Sequence, residues 1–187
     1  GGDLFVYAGR TNSAGPDYGA CVGVTNAMYV GPGSWVYPFA HQTNGGSPLF
    51  RAASLVVTTN AGFNADEKGF RNDMGPGKAV TGVYGGGGGY GGKGGDGLTL
   101  CGGAYGSSAN PVQPGSGGGS YTANERGGNG GGTIRIMVTG TALINGTIAI
   151  AYEALQVIHQ VGNAGATGLE WDVAPLPRGP VRRKGFV

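Results

Sequence analysis

The chain has 187 residues, of which 44 are glycine and only 12% are charged, with a formal net charge of +2. Glycine in a helix interior costs about 1 kcal/mol per residue relative to alanine, so a helical bundle is excluded. A hydrophobic share of 39%, with two tryptophans, nine tyrosines and six phenylalanines, excludes a disordered filler, which has no use for so much apolar surface.

The excess positive charge sits in a short run near the C-terminus, Arg178, Arg182, Arg183 and Lys184. Without it the body is nearly neutral and offers no basic face for a phosphate backbone, so nucleic acid is not an expected partner. No apolar run reaches the length of a membrane-spanning helix. The chain starts Gly1-Gly2-Asp3, without Met, and runs directly into strand-like residues, which reads as a processed, secreted product.

From Gly1 to about Thr81, short β-branched and aromatic segments alternate with turn residues. Strands are expected at Leu4–Ala8, Ala20–Val24, Met28–Val30, Trp35–Phe39, Leu49–Arg51 and Ser54–Thr59, broken by Gly15-Pro16-Asp17, Gly31-Pro32-Gly33 and Asn44-Gly45-Gly46. Gly82–Gly132 holds 23 glycines in 51 residues, with Tyr84, Tyr90, Tyr105 and Tyr121 spaced among them. A flexible linker is one reading of this zone. Irregular loops on a β-scaffold, or extended polyproline-II-like segments packed closely because no Cβ intervenes, are the others, with rings lying over bare glycine backbone. The Gly-X-Y period of collagen is not kept.

In Thr133–Val138 the apolar Ile134, Ile136 and Val138 alternate with Thr133, Arg135 and Met137, the period of a strand with one buried face. Ala142–Ile150 is a second apolar run, and its Asn145-Gly146 turns a hairpin or marks a corner in a coil of stacked strands. Ala151–Val161 is predicted as a helix, with Leu155 and Ile158 on one side and Gly162 as its stop. Beyond it, Pro175, Pro177 and Pro180 predict an extended tail. The expected organisation is a glycine-rich β-domain over 1–150, carrying an insertion over 82–132, followed by a short helix and a basic, proline-rich tail over 151–187. The expected fold is all-β, a parallel β-solenoid or β-helix-like stack with ordered glycine-rich insertions; the alternative is a β-sandwich.

Phrases such as Gly33-Ser34-Trp35-Val36-Tyr37-Pro38, Gly89-Tyr90-Gly91-Gly92-Lys93-Gly94, Gly130-Gly131-Gly132-Thr133-Ile134-Arg135-Ile136 and Ile144-Asn145-Gly146-Thr147-Ile148 occur in a telling order. Over residues 1–150 the chain resembles secreted bacterial glycine-rich repeat proteins. That resemblance implies β-helix-like coils with glycine-rich excursions, and surface, adhesive or structural roles. Leu169–Pro180 resembles a phrase of solute-binding proteins of bacterial sugar importers, over a stretch too short to build a binding lobe.

Two histidines, four glutamates and six aspartates show no catalytic spacing, and the glycine run 85–97 lacks the Gly-Lys-Ser/Thr ending of a phosphate loop. No enzyme activity, cofactor or metal site is expected; His41 reads as a turn histidine, and Asn64, Asp66, Glu67, Asn72 and Asp73 as solvated loop groups rather than calcium ligands. Cys21 and Cys101 form either one disulfide or two free, buried thiols. Asn145 heads the one Asn-x-Ser/Thr sequon. Trp35, Tyr37, Phe39 and Tyr90 are the candidate aromatic contact surface. The expected role is a non-enzymatic extracellular structural protein, a fibre or surface-layer subunit joined to other copies through strand edges or terminal segments. The alternative is a carbohydrate-binding, adhesive module that displays these aromatics to glycans.

Overall fold

The computed structural model describes residues 1–10, 18–81, 85–96, 100–106, 112–121 and 126–150, and the backbone of Leu155–His159. Among them are nine strands and no helix: β1 (Asp3–Tyr7), β2 (Ala20–Val30), β3 (Trp35–Phe39), β4 (Pro48–Val57), β5 (Gly62–Asn64), β6 (Ile134–Val138), β7 (Ala142–Ile144), β8 (Thr147–Ala149) and β9 (Leu155–His159). The strands expected at Ala20–Val24 and Met28–Val30 are one strand, whose pairing with β4 slips between Val24 and Ala27. Such a slip is a bulge, absorbed without ending the ladder.

The strands form two sheets, ordered β1-β3-β5-β8 and β2-β4-β6-β9, with β7 beside β4 beyond the end of β6. Every pairing is parallel. A parallel neighbour requires a crossover connection. Here the chain visits the opposite sheet before it returns, as from β1 through β2 to β3 and from β3 through β4 to β5.

The core lies between the sheets. Val36 and Phe63 come from the first; Phe50, Leu55, Val57, Ile134, Ile136 and Val138 come from the second, and all are buried. The Phe50 and Phe63 rings meet edge to face, with centroids 5.4 Å apart. Burying side chains of this size stabilises by roughly 1.5–3 kcal/mol each.

Asn145-Gly146 is a corner. β7 pairs with β4 in one sheet, β8 pairs with β5 in the other, and the Asn145 N–H donates to the Val57 carbonyl at 2.8 Å. The helix predicted over Ala151–Val161 is corrected within the described residues: Leu155–His159 is strand β9, in register with Ile134–Val138. The open edge of β6 supplies backbone partners that an isolated helical turn lacks, and β-branched Val157 and Ile158 suit a strand. Residues 151–154 and 160–187, with the proline-rich basic tail and the Leu169–Pro180 phrase, lie outside the described residues.

A long insertion separates β5 from β6. Gly62 follows its β3 partner Trp35 by 27 residues, but Thr147 follows Gly62 by 85. The insertion leaves and returns at one point, where the Gly132 N–H donates to the Ala65 carbonyl at 2.8 Å and the Ala65 N–H donates to Ala149 at 2.9 Å.

Within the insertion, extended glycine segments bond largely to one another's backbones, with the Ser116 and Ser120 hydroxyls accepting from Gly77 and Gly127. Successive N–H groups of Gly115, Ser116, Gly117, Gly118 and Gly119 donate to the carbonyls of Gly131, Gly89, Met74, Gly128 and Gly86, at 2.8–3.3 Å. Donors three residues apart therefore reach the same neighbour: Gly115 and Gly118 the 126–132 segment, Ser116 and Gly119 the 85–90 segment. Gly102 and Tyr105 likewise donate to Gly87 and Tyr90. A repeat of three with no bonds inside a segment is that of a polyproline-II helix. The described segments 85–90, 115–119 and 126–132 thus carry the bonding repeat of packed polyproline-II strands, and are not a free linker.

Close approach demands glycine. A Cβ on Gly102 would collide with the Gly77 carbonyl, and one on Gly117 with that of Arg71. Rings seal the margins as expected, with Phe70 against Gly45 and Gly75, Tyr105 against Gly77 and Tyr90 against Gly106.

Candidate functional site

Alternation along β1 and β3 sends Val36 and Pro38 inward, buried, and Trp35, Tyr37 and Phe39 outward. The register sets Phe5 beside Tyr37 and Tyr7 beside Phe39. The Phe5 and Tyr37 rings stack with centroids 5.0 Å apart and 11° between planes; those of Tyr7 and Phe39 stack at 4.6 Å and 23°. The Lys68 ammonium lies 5.0 Å from the Phe39 centroid and donates to the Asp66 carbonyl at 3.0 Å. A Cβ on Gly62 would meet Trp35 Cζ3 at 2.9 Å, so that ring lies against bare backbone.

Three of the four predicted contact aromatics therefore share one outer face. Phe5 and Tyr7 join them, and sequence reasoning missed both. Their signal is the same period-two alternation, in Leu4-Phe5-Val6-Tyr7, but only the pairing of β1 with β3 brings the rings together. Tyr90 belongs elsewhere: it is 4% exposed and packs edge to face on Tyr105, with centroids 5.1 Å apart. Glycine neighbours imply exposure in a sequence, whereas here they are what lets the ring sink into the bundle.

Both cysteines are free thiols, Cys21 exposed on β2 and Cys101 half-buried in the insertion, so neither the disulfide nor the buried pair describes them. Lys93 pairs with Asp96 at 3.3 Å near Cys101. Hydrogen bonding with Cys101, and then the pair's own attraction, pushes Lys93 up and Asp96 down. Asn145 is exposed at its corner. His41 is a turn residue, its Nδ1 accepting from the N–H groups of Asn44 at 3.1 Å and Thr43 at 3.4 Å.

Asp73 ties the insertion together. Its Oδ1 accepts from Thr81 Oγ1 and the Ser120 N–H, both at 2.8 Å; its Oδ2 accepts from Ser120 Oγ at 2.5 Å and Asn72 Nδ2 at 2.8 Å. Burial raises the pKa of this carboxyl, but the hydrogen bonds from Ser120, Thr81 and Asn72 outweigh it and hold the pKa down to about 2, against an ordinary 3.8. A depressed carboxylate contributes stability that is present above pH 4 and is lost as pH falls through 2. Screening at this half-buried position leaves on the order of 1 kcal/mol. Amide exchange in the insertion should therefore accelerate between pH 4 and 2, after correction for intrinsic rates. Asp73→Asn should remove that acid dependence.

Among the described residues, no three His, Cys, Asp or Glu side chains gather to hold a metal, and no helix is long and apolar enough to cross a membrane. A groove of about 520 Å³ in the insertion is lined chiefly by glycines, with Glu67 and Lys93 also among its lining residues. The site geometry thus amounts to a stacked aromatic face beside a sheet edge that is open among the described residues. No family model, curated protein or solved structure matches the chain.

Proposed function

We propose that the chain is a parallel β-solenoid, each turn laying one strand on each of two sheets, and that it serves as a non-enzymatic extracellular structural protein. In this role it is a subunit of a self-assembling fibre or surface layer, joined to other copies through strand edges. Neighbouring strands in a sandwich ordinarily run antiparallel; the uniformly parallel pairing here favours the coil.

The observation that carries the assembly reading is the first turn. Among the described residues, β1 and β2 each end their sheet and pair on one side only. Leu4, Phe5, Tyr7 and Tyr29 are exposed there, at 51, 52, 67 and 64%. An open edge with apolar side chains is a template for another strand, and repetition of such contacts builds an assembly. The resemblance to secreted glycine-rich repeat proteins supports the extracellular setting. Electron microscopy of the purified chain should show filaments or sheets; dispersed monomers at high concentration in native solvent overturn the reading.

The second reading, a carbohydrate-binding adhesive module, draws on the outer face of Trp35, Tyr37, Phe39, Phe5 and Tyr7, since exposed rings stack on sugars. Trp35→Ala should abolish glycan-array binding with folding intact. Tyr90→Ala is not a probe of that face, and should instead loosen the insertion.

A further inference from the structure

We infer that the open end of the stack joins a second copy head to head, β1 against the partner's β1, antiparallel about a two-fold axis near Phe5. This rests on the assembly reading and specifies its joint. The rings decide the direction. Parallel rings with centroids 5.0 and 4.6 Å apart are too close to lie side by side, so they form two columns along the stacking direction, Phe5 on Tyr37 and Tyr7 on Phe39. Lys68 lies over the Phe39 ring. The bare faces are those of Phe5 and Tyr7 turned away from β3, and they end the columns at the same end as the unpaired β1 edge.

An occupant of that end must supply a strand edge, inward apolar residues to cover Leu4 and Val6, and outward rings to continue the columns. Among the described residues, a copy docked head to tail offers β8, three residues long, whose outward positions are Thr147, in the row of Trp35 and Gly62, and Ala149, which pairs with Asn64. It brings no ring. The partner's β1 brings everything required. About a two-fold axis at Phe5, the sequence Asp3-Leu4-Phe5-Val6-Tyr7 is self-complementary: Leu4 faces Val6 on the core side, and on the outer side Phe5 faces Phe5 and the Asp3 carboxylate faces the Tyr7 hydroxyl. Such an isologous joint closes on itself. A fibre can then grow only by using the opposite ends of the stack as well, and it has no polarity.

The test uses the full chain with Cys21→Ser and Cys101→Ser. Sedimentation should give a dimer or an even-numbered assembly, and Phe5→Ser with Tyr7→Ser should raise the dissociation constant of the joint at least tenfold with circular dichroism unchanged. Mild oxidation of Phe5→Cys alone should give a covalent dimer and nothing larger. A ladder of oligomers from Phe5→Cys combined with Ala149→Cys, whose positions share one row of the sheet, with no dimer from Phe5→Cys alone, establishes a head-to-tail joint: the head-to-head inference fails and the assembly reading stands. A monomer under all these conditions removes both.

Discussion

Gly102→Ala is expected to disrupt the glycine bundle, while Gly103→Ala, one residue on, leaves it intact. A methyl on Gly102 runs into the Gly77 carbonyl and the Gly89 nitrogen, both backbone atoms that cannot swing aside. Making room for it parts the segments joined by the Gly102–Gly87 and Gly94–Gly102 bonds. Overpacking against fixed atoms costs about 3 kcal/mol here, at the upper end of its usual range. Gly103 has nothing within 4 Å of its added Cβ, so alanine there should change stability by under about 0.5 kcal/mol. Amide exchange at Gly87, Gly94 and Gly102, compared between the two variants, checks the contrast. Equal protection in both would mean that the glycine segments are not held at backbone contact distance.

Phe63→Ala should cost about 3–5 kcal/mol of global stability, the largest effect of any single substitution considered. The residue is 0% exposed on the three-residue strand β5 and meets Phe50, at 1%, across the two sheets. Truncating it leaves a void lined by both sheets, so chemical denaturation should show a lower midpoint with a single transition. A double-mutant cycle with Phe50→Ala should return a coupling of about 0.5–1.5 kcal/mol, the worth of an edge-to-face pair beyond its buried area. Phe5→Ala, which removes a half-exposed ring, should cost the isolated chain far less.

The strands were legible wherever alternation is strict. Ile134, Ile136 and Val138 are buried as their spacing predicts, although Thr133 and Arg135 on the face expected to be open are buried too, and Trp35, Tyr37 and Phe39 lie on one face by the same alternation. What local pattern could not supply was the partner of each strand. Asn145-Gly146 fits a hairpin and a corner equally, and the choice is made by β4 and β5, some 85 residues earlier. Leu155 and Ile158 fit one side of a helix, yet the waiting edge of β6 outweighs that spacing. In the glycine bundle the sequence discloses only that Cβ atoms are missing. Its threefold register is carried by peptide groups that every residue possesses, so no side-chain pattern could reveal it. Tyr90 was misread for the related reason that a ring among glycines is buried or displayed according to which segments approach it.

The interruption after β5 governs the order of synthesis. A ribosome delivers residues 1–64 as two sheets whose newest strands, β4 and β5, wait for partners that begin at Ile134. Until then Phe50 and Phe63 lack the cover of Ile134, Ile136 and Val138 in the core they share, and long-range pairings of this kind form slowly. The glycine bundle, by contrast, is complete by Gly132 and meets the first half through backbone bonds that include Gly132 to Ala65, Ala40 to Lys68 and Arg71 to Gln42. A hinge that gathers itself before the second half arrives delivers β6 to the edge of β4, so a defect in the bundle would leave half-made molecules to find one another.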